Sequence, residues 1–253
     1  MEILFKKITV LAEELTHKLS AKVEPPVQVP CGDSFVFRYK EQTIYQAIVQ
    51  KLARVTSSLN ATKILMEHGY YQEQAVMHRV LDELNEDITF LSMGVIKNDL
   101  KDLHNKFLDA FWEEEFDQES SLKSTQKRPM VRREKIQAYI NYQEEAGDDP
   151  STGKEAARTV SKAYSGFVHA ASPQVMEMYG GSPGQFHMKG MSGTPRELEY
   201  RDEVWNYYYR TLTSFALASK AFGDEEAFKE CEALVIGMEE SANKNYAYSS
   251  NKT

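Results

Sequence analysis

Cysteine, tryptophan, glycine and proline are all scarce in this chain of 253 residues, which has 2 Cys, 2 Trp, 13 Gly and 8 Pro. Cys31 and Cys231 stand far apart and form no Cys-x-x-Cys pair, so a zinc ribbon is excluded and a disulfide framework is not expected. This cysteine usage is typical of a reducing compartment, and we expect a cytoplasmic protein. Because glycine and proline are few and clustered, long stretches remain open to uninterrupted helices.

Long apolar runs are also missing. No segment approaches the ~20 apolar residues that a membrane-spanning helix needs. The opening stretch MEILFKKITVLAEELTHKLS carries acids within its apolar pattern and no cleavage site, unlike a signal peptide. We therefore expect no membrane partner. The net charge of −8 argues against a protein that coats nucleic acid by charge alone, although an acidic body can still carry a local basic groove.

Signature motifs for phosphates and metals are absent as well. The chain has no Gly-x-x-x-x-Gly-Lys-Ser/Thr and no Gly-x-Gly-x-x-Gly sequence. A carboxylate-bridged di-metal site in a helical bundle needs two Glu-x-x-His pairs, and only Glu14 with His17 has that spacing. We therefore expect no metal and no cofactor.

What the chain does have is helical periodicity. Residues 1–20 predict an N-terminal amphipathic helix, and residues 21–34, with three prolines, predict an extended connector. Residues 35–246 predict one helical domain whose first helix runs from Phe35 to about His68, and residues 247–253 predict a frayed tail. No alternating strand pattern of useful length is visible. The predicted fold is all-α, a single bundle of about seven or eight helices.

The segment from Glu155 to Gln174 predicts a helix with an unusual polar side. At about 100° per residue, five polar residues fall within an arc of roughly 100°: Arg158, Ser161, Lys162, Ser165 and His169. A solvated face usually carries better helix formers than serine, whereas small residues let another backbone or a ligand come close. Two interpretations are open: close helix packing with His169 hydrogen-bonded near a helix end, or the wall of a functional groove.

A second polar cluster lies in HRVLDELNEDITF. Its charged residues share one side of a predicted helix, opposite an apolar side: Arg79, Asp82, Glu83, Glu86 and Asp87. The four acids make two like-charge pairs at i,i+4 spacing, each of which costs a few tenths of a kcal/mol. Three alternatives could compensate these negative charges: plain solvation, a metal, or the basic residues of the 155–174 segment. We predict that this cluster faces the 155–174 stripe across a groove.

Two irregular segments carry further candidates. Residues 180–195 contain five glycines and predict a mobile segment, in which His187 and Lys189 belong to a plain connector or to a lid over the groove. The run QKRPMVRREK is basic. One interpretation is that this run contacts nucleic acid. The favoured interpretation is a loop whose positive charges balance the negative charges of nearby acidic residues.

Two stretches taken together, HRVLDELNEDITFL and KAYSGFVHAASPQ, carry a resemblance. The second is a Tyr-Ser-x-x-x-His segment followed by a small-residue break. The pairing, over roughly residues 40–220, resembles bacterial helical-bundle proteins related to the HEPN superfamily. Active members of that superfamily are metal-independent ribonucleases that work as dimers, often in toxin–antitoxin or phage-defence systems. The resemblance therefore implies a HEPN-like bundle, RNA as substrate, an antitoxin as protein partner and a homodimer.

The superfamily signature, an arginine and a later histidine separated by four to six residues, can be checked in this chain. No arginine stands five to seven positions before any of the six histidines. In a ribonuclease hypothesis the general acid/base is His169, with Lys162 or Arg158 stabilising phosphate charge and two neighbours positioning it, Ser165 and Tyr164. In the alternative, a non-catalytic helical protein binds a partner or small ligand in the same groove. The missing signature favours the alternative, and in both hypotheses the binding residues are Arg79, Glu83, Asp87 and His187.

Overall fold

A computed structural model describes residues 2–114, 121–127, 129–142 and 163–243 of the chain. Its elements, in order, are α1 (Glu2–Ser20), β1 (Val27–Cys31), β2 (Ser34–Arg38), α2 (Ile44–Glu67), α3 (Tyr71–Ile96), α4 (Asp102–Trp112), α5 (Arg133–Ile140), α6 (Ser172–Met176), β3 (Tyr179–Gly180), β4 (Gln185–Phe186), α7 (Glu197–Ala221) and α8 (Glu225–Ser241). Residues 163–168 are also helical, and 121–123 form a 3₁₀ turn. The described chain is mostly helical, which confirms the all-α prediction at that level. None of its helices is long and apolar enough to cross a bilayer.

The core lies where α3 packs between α2 and α7, with α1 and α8 closing the outside. These helices bury their apolar faces against one another, as Leu52, Ile88 and Phe215 show at 0–1% exposure. Burying a side chain of that size contributes about 1.5–3 kcal/mol. The long α3 therefore has neighbours on several sides, and many of its polar side chains are shielded from solvent.

The stretch before α2 differs from the prediction. Residues 27–38 form an antiparallel hairpin in which Val27 pairs with Arg38 around a turn at Gly32, so the helix predicted from Phe35 begins only at Ile44. The start is fixed by Thr43, whose Oγ1 accepts a hydrogen bond from the backbone N–H of Tyr45 at 3.2 Å. The prolines argued against a strand in this stretch. Proline is tolerated here because both strands of a two-stranded sheet are edge strands.

The glycine-rich segment is more regular than predicted. It contains the β3–β4 hairpin, and Met191 is buried against Tyr71 and Tyr200. Its backbone N–H donates to the carbonyl of Gly69 at 2.7 Å. Gly69 has a φ of +73°, and a Cβ there would lie 2.3 Å from Ser192 Oγ, so only glycine fits this close approach. The segment is thus anchored at Met191, and its mobility stays a prediction.

Candidate functional site

The acidic cluster of α3 finds its cations on neighbouring helices. Asp87 is 4% exposed, and Lys51 of α2 reaches its Oδ2 at 2.7 Å. Arg133, at the start of α5, bonds the other oxygen, Oδ1. Both oxygens of this buried carboxylate are therefore engaged by charged donors, the arrangement that a buried ion requires.

The rest of the cluster is compensated in the same manner. Arg79 bonds Glu83 at 2.5 Å, and Arg133 also approaches Glu83 and Glu86, at 3.8 and 3.6 Å. Arg210 of α7 bonds Asp82. Within the described ranges the cations come from α2, α5, α7 and α3 itself. Arg158 and Lys162 of the 155–174 stripe lie outside those ranges, so compensation by the stripe stays one of the predicted alternatives. Because Arg133 belongs to the basic run, the interpretation of that run as a partner for nearby acids is confirmed at this residue.

A buried histidine stands beside this cluster. His78 is 0% exposed and stacks on Tyr207 of α7, with ring centroids 3.7 Å apart and 15° between the planes. The ring of Tyr164 packs edge-on against the ring of His78, with the ring centroids 5.8 Å apart. Burial lowers the pKa of His78 to about 3, so the ring is neutral at pH 7.

Carboxylates next to that histidine are also driven toward their neutral forms. Burial raises the pKa of Asp82 to about 6, against the opposing effect of the Arg210 guanidinium. Burial likewise raises the pKa of Glu203, whose Oε2 accepts a hydrogen bond from the hydroxyl of Tyr164 at 3.0 Å. The surroundings therefore disfavour charge, which is typical of a site closed off from water.

Four polar side chains follow one another on the buried face of α3, at spacings of four, four and three residues. We call them the polar seam: Gln74, His78, Asp82 and Asn85. Within the described chain, each has one buried atom without a hydrogen-bond partner, namely Gln74 Oε1, His78 Nδ1, Asp82 Oδ2 and Asn85 Oδ1. Such atoms are rare in folded proteins, and each costs about 1–3 kcal/mol when it is left unpaired.

The unpartnered atoms of the seam are mostly hydrogen-bond acceptors. Gln74 Nε2 lies 3.4 Å from His78 Nε2, which makes Nε2 the acceptor and places the proton of the neutral ring on Nδ1. Three oxygens of the seam thus offer free lone pairs, and one nitrogen offers a free N–H. A complementary molecule would carry several N–H donors and one acceptor.

A cleft opens at the Asn85 end of the seam. Its volume is about 260 Å³, and α3, α5 and α7 form its walls. Polar side chains dominate the lining: Asn85, Glu86, Thr89, Gln137, Asn141, Arg210, Thr213 and Ser214. Arg210 lines this cleft and also bonds Asp82, so one residue links the cleft to the interior of the seam.

The predicted site residues separate in space. Of the 155–174 segment, Tyr164 reaches the seam, Ser165 is half-buried, and His169 is exposed just after the helical residues 163–168. His187 is half-buried near β4, where its backbone N–H donates to the carbonyl of Met178 at 2.8 Å. Arg158 and Lys162 lie outside the described residues. Tyr164, which adjoins the stripe, contacts His78, which adjoins the cluster, and the groove between stripe and cluster stays a prediction.

Residues that the sequence reasoning missed form the centre of the site: Gln74, His78, Asn85, Tyr207 and Arg210. The available signal was the repeat of polar residues on α3 at helical spacing, 74, 78, 82 and 85. Only Asp82 of these four belongs to the predicted charged side, because the adjacent acids dominate the stretch. Arg210 and Tyr207 lie on a helix over 120 positions later, and no local pattern links them to α3.

No cluster in the described chain combines three or more His, Cys, Asp or Glu side chains in a way that would hold a metal ion. Both cysteines are free, Cys31 exposed and Cys231 buried. Comparison with known proteins yields no match to a family model, to a curated protein or to a solved structure. The geometry of the seam is therefore the basis for any functional argument.

Proposed function

We propose that the chain is a non-catalytic helical protein that binds a small polar ligand in the cleft at the Asn85 end of the polar seam. The observation that carries this proposal is the row of four unpartnered buried atoms on one face of α3. Four such costs in one place are a large fraction of the stability of a typical domain, about 5–15 kcal/mol. A ligand in the cleft that pairs with Asn85 Oδ1, the seam atom nearest to it, would recover part of that free energy on binding.

The same atoms indicate the class of ligand. Asn85 Oδ1 and Asp82 Oδ2, three residues apart on α3, select a molecule with several N–H groups, and the ring of Tyr209 in the cleft lining favours a planar one. The cleft of about 260 Å³ lies at the small end of ligand sites, which suits a single ring system. An amino-substituted nitrogen heterocycle meets all three conditions.

The test is a titration of the full chain with 2-aminopyrimidine, cytosine and adenine by calorimetry and protein NMR, with pyrimidine as the isostere that lacks the amino group. We expect the amino compounds to bind and pyrimidine to bind at least tenfold more weakly. Asn85→Ala should weaken binding, while Thr89→Ala, on the same cleft wall but without an unpartnered atom, should not. Absence of binding at millimolar concentration, with ordered waters filling the seam in a crystal structure, would contradict the proposal.

A ribonuclease of toxin or phage-defence type, with a HEPN-like fold, is a second candidate. One observation favours it: the two stretches that carry the resemblance contribute Tyr164 and His78, whose rings are in contact. In this candidate the exposed His169 would act on RNA, an antitoxin would be the protein partner, and a homodimer would bring two copies together. Cleavage of a labelled single-stranded RNA by the purified protein in the presence of a metal chelator tests it.

A further inference from the structure

The first helix has an outward face that is not used by the fold. α1 is held to the core by its inner side: Ile8, Leu11, Ala12, Leu15 and Leu19, all at most 5% exposed. Seven exposed residues follow the opposite side, and we call them the outer stripe: Ile3, Lys6, Lys7, Val10, Glu13, Glu14 and His17. Ile3 is 76% exposed and Val10 45%, which is unusual for two aliphatic residues on one short stripe.

The charges of the outer stripe are symmetric about Val10. Lys6 and Glu13 are seven positions apart, as are Lys7 and Glu14, so each pair lies along one edge of the stripe two turns apart. Both lysines precede Val10 by three or four residues, and both glutamates follow it by the same distances. Two edges with opposite charge at opposite ends form a surface that is complementary to itself.

We infer that the outer stripe binds the same stripe of a second copy of the chain, with the two helices antiparallel and crossing at Val10. In that arrangement Lys7 of one copy faces Glu14 of the other on one edge, and Lys6 faces Glu13 on the other edge. A two-fold axis repeats both contacts, which gives four ion pairs around a Val10–Val10 contact. A parallel arrangement would oppose lysine to lysine and is thereby disfavoured.

A groove beside the stripe provides room for side chains of the second helix. It has a volume of about 490 Å³ and runs between α1 and α8, with a mostly apolar floor formed by Val10, Leu11, Ala233 and Leu234. Within the described chain, Lys6, Lys7 and Glu14 make no ion pair, while one oxygen of Glu13 accepts a hydrogen bond from Asn60 at 2.9 Å. The charges of the stripe are thus available to a partner. Exposed ion pairs are individually weak, so we expect a modest affinity that falls with salt.

Sedimentation equilibrium of the full chain tests this surface. The wild type should move with concentration from 29.0 kDa toward twice that mass. The variant Lys6→Glu/Lys7→Glu and the variant Glu13→Lys/Glu14→Lys should each self-associate at least tenfold more weakly, because every contact becomes one of like charge. When the two variants are mixed, the four opposite-charge contacts of the wild type are restored, and we expect a heterodimer at least as tight as the wild-type homodimer.

The matched control is Lys106→Glu/Lys123→Glu, which changes the net charge by the same amount at exposed positions away from α1. It should associate like the wild type. All substituted positions are exposed, and circular dichroism melts verify that each variant folds. The inference is overturned if the wild type stays a monomer and the mixed variants form no heterodimer, or if the wild-type dimer is unaffected by both reversals. Neither result bears on the ligand titration of the polar seam, so the two proposals fail separately.

Discussion

The two buried histidines of the chain show how differently the same side chain can be used. His78 and His104 are both 0% exposed, and each stacks on an aromatic ring, His78 on Tyr207 and His104 on Phe90. Burial lowers the pKa of both. For His104, the Nδ1 atom accepts from the backbone N–H of Lys101 at 3.1 Å, and Nε2 donates to the carbonyl of Phe90 at 3.3 Å.

Both ring nitrogens of His104 therefore have hydrogen-bond partners, and these two bonds connect α3 to the start of α4. His78 has only the contact of Nε2 with Gln74, and in the described chain its Nδ1 has no partner. The carboxylates repeat this contrast: Asp87 has both oxygens engaged, and Asp82 only one. Paired groups hold the fold together, and the unpaired ones are the basis of the ligand site that we propose.

The largest effect is expected where pairing is complete. Asp87→Ala removes the carboxylate that Lys51 and Arg133 share and leaves the buried ammonium of Lys51 without a counter-charge. We expect a loss of about 3–5 kcal/mol of unfolding free energy, measured by urea denaturation. The control is Asp102→Ala, which breaks the exposed pair with Lys106 and should change stability by about 0.5 kcal/mol or less. Equal effects of the two variants would remove the distinction between buried and exposed pairs.

The histidine comparison itself is tested by one substitution at two positions. His104→Phe leaves the N–H of Lys101 and the carbonyl of Phe90 unpaired, and we expect a loss of about 1–3 kcal/mol in the free energy of unfolding. His78→Phe removes Nδ1, which already lacks a partner, and the long 3.4 Å contact of Nε2 with Gln74, whose amide keeps its bond to the Tyr200 carbonyl. Because the stacking on Tyr207 is also kept, we expect a change below about 1 kcal/mol. If His78→Phe is as costly as His104→Phe, a bound water or ligand already satisfies Nδ1.

These two regions also show what a sequence can and cannot convey. The helices of the core follow from the spacing of apolar residues, and Gly69 ends α2 as its position predicts. The pairing of Asp87 with Lys51 does not follow, because the two residues are 36 positions apart and meet only after α2 and α3 pack. The hairpin of residues 27–38 was missed because its strands are five residues long and interrupted by Pro30.

The polar seam was out of reach of sequence reasoning for a related reason. Periodicity places Gln74, His78 and Asp82 on one face of α3, but it cannot say whether that face meets solvent or another helix. That face is covered by Tyr207 and Arg210 of α7, which contact His78 and Asp82. The packing of α7 on α3 is a property of the tertiary fold. Burial, and hence the pKa shifts and the unpartnered atoms, appears only at that level.

A smaller effect concerns the pH dependence of stability at Asp82. Its pKa rises from the ordinary 3.8 to about 6 on folding, so the folded chain binds more protons between these values. The stabilisation from protonated Asp82 is complete below pH 3.8 and is lost as the pH rises through 6. Relative to Asp82→Asn, which does not titrate, the wild type should therefore gain about 2–2.5 kcal/mol between pH 7 and pH 4.

Urea denaturation of both proteins across that range measures the difference. His78, with its lowered pKa, acts in the opposite direction: its contribution is present above pH 6.5 and is lost as the pH falls toward 3. Because His78 is common to both proteins, its effect cancels in the difference. A difference that is flat between pH 7 and pH 4 would mean that Asp82 stays ionised in the seam.

The smallest effect on stability is expected at His169, which is exposed and follows the helical residues 163–168. A buried, hydrogen-bonded histidine would cost about 1–3 kcal/mol on replacement by alanine, as argued for His104, whereas an exposed one changes stability by about 0.5 kcal/mol or less. The variant His169→Ala therefore separates function from folding with little interference. If it melts like the wild type and loses RNA cleavage or cell toxicity, the ribonuclease candidate is supported over the binding protein. If cleavage is absent from both proteins, while 2-aminopyrimidine still binds to both, His169 has no part in the function and the polar seam remains the site.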